Sequence, residues 1–161
     1  MNVHFIDTSV LLELLNVPGK SKNPKHYRHE LLELKKSRSE TLILPFATII
    51  ETGNHIAQNG DGNQRRECAK RFCDCIQKTI TGEAPWKYYG KQMSPEDLEI
   101  ICRQFPDAAM REEGFGDLSI IRAYEKYKKE TPGIAHIRIW TSDTHLIGYD
   151  EDVPMTSRRN G

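Results

Sequence analysis

The chain has 161 residues, one domain's worth, and is long enough to bury a core without a disulfide or metal staple. Hydrophobic residues make up 37% and charged residues 29%, a globular balance rather than a disordered one. Lys plus Arg and Asp plus Glu each number 23, so the net charge is +0; this excludes a polycation that coats nucleic acid or anionic lipid by charge alone, though not a local basic groove.

Residues 42–50 form the longest apolar stretch. Pro45 and Thr48 interrupt it, and it falls far short of the roughly 20 residues of a membrane span, so no membrane association is expected. Residues 1–6 lack a basic leader, and Asp7 stands where the apolar core of a secretion signal would continue. Cys68, Cys73, Cys75 and Cys102 match no zinc or C-x-x-C spacing, so free thiols in a reducing cytoplasm are expected.

In chain order, residues 3–6 predict a strand running into Asp7-Thr8-Ser9, which can cap a helix through Leu15. Residues 16–19 stop that helix, and a polar loop follows. Residues 25–37 read as a helix with Tyr27, Leu31, Leu32 and Leu34 inward, and 41–44 as a strand closed by Pro45. The helix over 46–58 carries Phe46, Ile49, Ile50 and Ala57 at helical spacing; that over 64–80 carries Phe72, Ile76 and Ile80. Residues 81–93 read as irregular and aromatic-rich.

Ser94-Pro95-Glu96-Asp97 is a helix start, and Pro106 should disturb the helix it opens. Gly114-Phe115-Gly116 leads to a helix opened by Asp117 and ended at 131–133. Residues 134–140 form the last strand, closing on Thr141-Ser142-Asp143. The expected organisation is one domain over 1–148 and a polar tail over 149–161. Strands alternating with helices imply an α/β fold with a small parallel sheet flanked by many helices.

Asp7 and Asp143 each follow a strand, and ligand sites of open parallel sheets lie outside the strands' carboxyl ends. If those strands are neighbours, both acids project into one crevice. Each has hydroxyl neighbours, Thr8 and Ser9 beside the first, Thr141 and Ser142 beside the second. Glu51 lies in an unusually apolar helical context, and Asp117 opens a helix after two glycines. Grouped carboxylates resist ionising together, and a divalent cation removes that conflict. An all-oxygen donor set favours Mg²⁺ or Mn²⁺, which suits hydrolysis of a phosphodiester.

Plainer readings exist for each residue. Asp7, Asp117 and Asp143 can cap helices, and Glu51 can pair with His55 at i+4. Trp86-Lys87-Tyr88-Tyr89 can stack bases, cover the core or form a dimer contact. The basic clusters Lys20, Lys22, Lys25, Arg28 and Arg65, Arg66, Lys70, Arg71 read as solvated helix faces unless one borders the crevice.

Four segments together resemble the PIN-domain nuclease family: Phe5-Ile6-Asp7-Thr8-Ser9-Val10-Leu11-Leu12, Phe46-Ala47-Thr48-Ile49-Ile50-Glu51, Gly116-Asp117-Leu118-Ser119-Ile120-Ile121-Arg122-Ala123, and Ile139-Trp140-Thr141-Ser142-Asp143-Thr144-His145-Leu146. They occur in the family's order and span most of the chain. The resemblance implies a three-layer α/β/α fold and a Mg²⁺- or Mn²⁺-dependent ribonuclease acting on RNA, similar to the toxins of prokaryotic toxin–antitoxin pairs, which a small antitoxin restrains and which are often homodimers. It implies that Asp7, Glu51, Asp117 and Asp143 form the catalytic, metal-holding quartet and that Ser9 and Thr141 support it. Two rivals remain: a catalytically silent binding or scaffold protein on the same fold, and an aspartyl-phosphate-type phosphatase with Asp7 as nucleophile, a class that wants a second acid where this chain has Ser9.

Overall fold

The computed structural model describes residues 1–91 and 93–155. Its strands are β1 (Asn2–Ile6), β2 (Glu40–Pro45), β3 (Lys87–Tyr89), β4 (His136–Trp140) and β5 (Asp150–Asp152). Its helices are α1 (Thr8–Leu14), α2 (Pro24–Lys35), α3 (Phe46–Ala57), α4 (Gly62–Thr81), α5 (Pro95–Met110) and α6 (Phe115–Glu130). The strands form one sheet in the order β3-β2-β1-β4-β5, parallel except for the antiparallel edge β5. This is the α/β, three-layer, PIN-like arrangement expected from the sequence.

The central strand β1 alternates its side chains between two cores, as the period of two requires. Val3 and Phe5 pack with Ile43, Ile137 and Ile139 under Ile120 and Tyr124 of α6. Ile6 faces the opposite layer with Leu42, Leu44 and Trp140, against Val10 and Leu11 of α1. Ile6 is in register with Trp140, so β1 and β4 end side by side and release Asp7 and Thr141 at the same edge.

Several local expectations change. Residues 87–89 are not irregular but pair in parallel with β2, and Trp86 is buried, its indole N–H donating to Thr79 Oγ1 at 2.8 Å. Trp86 thus belongs to the core. Tyr89 lies edge-on to Phe5 and Tyr127, whereas Tyr88 is exposed. Pro106 does not end α5: Cys102, whose carbonyl would lose its partner, is exposed and can turn to water. The tail expected from 149 begins as β5, where His136 contacts Asp150 and Asp152; residues 156–161 of that expected tail lie outside the described residues.

Leu32, Phe46, Ile50 and Ile80 are exposed rather than buried. In α3 the buried stripe is Thr48, Thr52 and Ile56, because Thr48 Oγ1 donates to the Ile6 carbonyl at 2.7 Å and pins the helix to the end of β1. A hydroxyl satisfied in this way packs as a core residue. An apolar count therefore chooses the wrong face of that helix.

Candidate active site

Asp7, Glu51, Asp117 and Asp143 line one cleft of about 420 Å³ at the carboxyl end of the sheet. They come from the end of β1, the middle of α3, the first turn of α6 and the loop after β4. Asp7 is buried and the other three are partly exposed.

Asp7 occupies the N-cap position of α1 but its carboxylate makes no capping bond. It turns instead toward β4. Ser9 Oγ donates to Asp7 Oδ2 at 2.8 Å and Thr141 Oγ1 donates to the same oxygen at 2.7 Å. Those hydroxyls in turn accept the amides of Ser142 and Asp143, at 3.1 Å and 2.9 Å. One oxygen of Asp7 is thereby anchored and the other is left for the cleft. The same four bonds tie the loop carrying Asp143 to the end of β1.

The other acids retain some local bonding. Asp143 Oδ1 accepts the His145 amide at 2.9 Å, and Asp117 Oδ2 accepts the Gly114 amide at 3.4 Å, so each also serves its own turn. Glu51 is held not by His55 but by Thr8, whose hydroxyl donates to Oε2 at 2.8 Å. Gly116 permits that position: a Cβ there would sit 1.4 Å from Glu51 Oε1.

The carboxylates disturb one another. Burial and then the charges of Asp143, Asp7 and Glu51 push Asp117 up to about 6. Burial also raises Glu51, assisted by Asp7 and Asp143 and opposed by the Thr8 hydrogen bond. This unrelieved repulsion, in a cleft whose charged donors are carboxylate oxygens, fits a hard divalent cation. The side chains line the cleft without closing on one point: among the described residues no group of three His, Cys, Asp or Glu forms a ready-made cage.

Thr8, Asn54, His55 and Gln58 complete the walls and were not anticipated as site residues. The signal for three of them is helical: 51, 54, 55 and 58 share one face of α3. His55 Nδ1 is buried with no hydrogen-bond partner. Beside this cleft, and sharing Glu51 with it, lies a larger apolar groove of about 710 Å³ that includes the exposed Phe46, Ile50, Tyr88 and Phe115.

No protein-family model matches the chain, and no curated protein matches it in sequence. Among solved structures it is similar to VapC20 of Mycobacterium tuberculosis, a sarcin-ricin loop cleaving toxin, with TM-score 0.57 and 16% identity over 94% of this chain and 99% of that one. VapBC2 of Rickettsia felis, solved bound to a DNA fragment from its promoter, shows a looser likeness, with TM-score 0.48 and 14% identity over 86% and 99%. At its identity the VapC20 likeness establishes the fold alone: the chain shares the PIN-like α/β architecture of that protein.

Proposed function

We propose that the protein is a metal-dependent endoribonuclease, the toxin of a toxin–antitoxin pair, that hydrolyses RNA phosphodiester bonds at Asp7, Glu51, Asp117 and Asp143. The observation that carries this reading is the convergence of four carboxylates from four separate elements on one cleft, with Asp7 anchored by Ser9 and Thr141. Sharing the fold of a toxin that cleaves the sarcin-ricin loop supports it.

The quartet would hold Mg²⁺ or Mn²⁺. When bound, such a cation supplies Lewis-acid stabilisation of the charge that builds on the phosphodiester and makes water a better nucleophile at neutral pH. The residues themselves do the rest. Asp7 presents one free oxygen in a fixed direction. Glu51 or Asp117, whichever keeps an oxygen free of the cation, can accept a proton from the attacking water. The Ser9–Thr141 pair keeps Asp7 and Asp143 from drifting apart as charge changes.

A small antitoxin and a second copy of this chain are the partners of this reading, and the apolar groove with Phe46, Ile50, Tyr88 and Phe115 offers protein-binding surface. The reading places the protein in a reducing cytoplasm, where its four free cysteines would persist. No helix among the described residues is long and apolar enough to cross a membrane.

The test is cleavage of a mixed pool of structured and unstructured RNA with Mg²⁺, with Mn²⁺ and with EDTA, beside the Asp7→Asn variant. Metal-dependent cutting that disappears in the variant is expected. Binding of RNA without cutting under any condition would favour the silent scaffold instead.

A further inference from the structure

Helix α3 separates two surfaces. Asn54, His55 and Gln58 look into the acidic cleft, while Gly53, Ile56 and Ala57 look onto a groove of about 750 Å³ whose other wall is α4. Arg65, Arg66 and Lys70 line that groove, and no acid does. Arg65 is half-buried and oriented, its guanidinium donating to the Asn59 carbonyl at 2.5 Å. Neither arginine forms an ion pair among the described residues; Lys70 has only the exposed Glu67 at 3.3 Å, a pairing worth little in water.

Arg122 and Lys126 are held by the buried Asp97, Lys91 by Glu130, Lys128 by Glu125 and Glu151, and Arg138 by Glu30. These cations serve the chain's own acids, whereas Arg65 and Arg66 do not; other cations without an ion pair among the described residues, such as Lys35, Arg38, Lys87 and Lys129, do not line the groove. The loop bearing Lys20 and Lys22 is tied to the same side, because Asn59 Nδ2 donates to the Pro18 carbonyl at 3.0 Å and Arg71 to the carbonyls of Leu15 and Asn16 at 3.1 and 3.3 Å.

Four carboxylates repel a polyanion, so a neutral protein that cuts RNA needs cations close to the cleft. Screening confines their help to about 10 Å. A helix is roughly 10 Å across, and nucleotides rise by about 3.4 Å per strand, so a strand with one phosphodiester at the acids reaches the groove within a few nucleotides.

We propose that the α3–α4 groove is the backbone track of the RNA strand, with Arg65, Arg66 and Lys70 holding phosphates that flank the one at the acids. The proposal rests on the nuclease reading of the cleft. Guanidinium forks match phosphate oxygens in pairs, and the groove adjoins the acidic cleft across a single helix.

The test compares Arg66→Glu/Lys70→Glu, both exposed, with a control of equal charge change, Lys35→Glu/Arg38→Glu, at the opposite end of the sheet. Binding is read by fluorescence anisotropy in EDTA and in an Asp143→Asn background, to suppress cutting, using a single-stranded oligouridylate of about 20 nucleotides. The groove pair should weaken binding about tenfold and flatten the slope of log Kd against log salt by about 1.4, two contacts at about 0.7 each. The control should stay within about twofold. Equal losses in both pairs, or none in either, would overturn the track. So would displacement of the RNA by polyglutamate of equal charge, which would mark the groove as a site for an acidic protein.

Hydrolysis of bis(p-nitrophenyl) phosphate, too small to reach the groove, should be unchanged by the groove pair on the wild-type background. If the wild type cleaves neither that ester nor RNA, the nuclease reading fails, and the binding comparison still judges the groove.

Discussion

Thr141 Oγ1 donates to Asp7 Oδ2 at 2.7 Å, although 134 positions separate the two residues. That bond fastens the end of β4 to the end of β1 and aims a buried carboxylate at the cleft. Asp7→Asn and Asp143→Asn should each lower RNA cleavage by at least about 100-fold. Melting should be unchanged or slightly raised, because each removes a charge from a repelling group. Thr141→Val keeps the shape but leaves Asp7 held by Ser9 alone and the Asp143 amide without its acceptor, and should cost about 10–100-fold. Full activity in both aspartate variants would remove the cleft from consideration.

Gly116 bears on Glu51 in the same way. A methyl group there would occupy the place of Glu51 Oε1, yet the far end of a glutamate can swing aside at little cost to the fold. Gly116→Ala also favours a helix, by up to about 1 kcal/mol. The expected result is a stable protein with sharply reduced cleavage, read by thermal melting and an RNA assay run side by side. Unimpaired cleavage would show that Glu51 need not stay where it is.

Cation binding should follow the titration of Asp117. Its carboxyl is raised from 3.8 to about 6, so in the cation-free protein it favours the folded state in acid, and that contribution is lost as pH rises through about 6. A divalent cation binds the deprotonated form and relieves the repulsion. Mn²⁺ or Mg²⁺ should therefore raise the melting temperature clearly at pH 7.5 and much less at pH 5, with calorimetry giving the same order of affinities. Equal shifts at the two pH values would count against the quartet as the ligand set.

Asp97 makes a purely structural prediction. Burial pushes its carboxyl up, but hydrogen bonds from Lys126, Arg122 and Ser94 outweigh burial and hold it well below the usual carboxylate range. A depressed acid stabilises the fold above its unfolded pKa, near 3.8, and that stability is lost as pH falls below it. Asp97→Asn should cost roughly 3 kcal/mol at neutral pH, since it leaves two cations without their acid. Urea unfolding at pH 7 and pH 3 should show the gap between variant and wild type shrinking in acid.

The chain by itself determined the α/β class, the acids that follow its two central strands, and the start of α5. Each is written in adjacent residues: Val3, Phe5 and Ile6 then Asp7, and Ser94 with Asp97, whose reciprocal capping bonds form as expected. Its plainer readings of Asp7 and Glu51 gave way because their hydrogen-bond partners, Thr141 and Thr8, lie far along the chain. Only the tertiary structure decided that β4 lies beside β1, that the three-residue edges Lys87–Tyr89 and Asp150–Asp152 are strands, and which face of α3 is buried. It also placed Arg65, Arg66 and Lys70 on the α3–α4 groove, across α3 from the cleft. The physical reason is common to all of these: strand pairing, the burial of Thr48 and the neutralising of cations by distant acids are contacts between remote segments, and no local pattern of apolar or charged residues carries them.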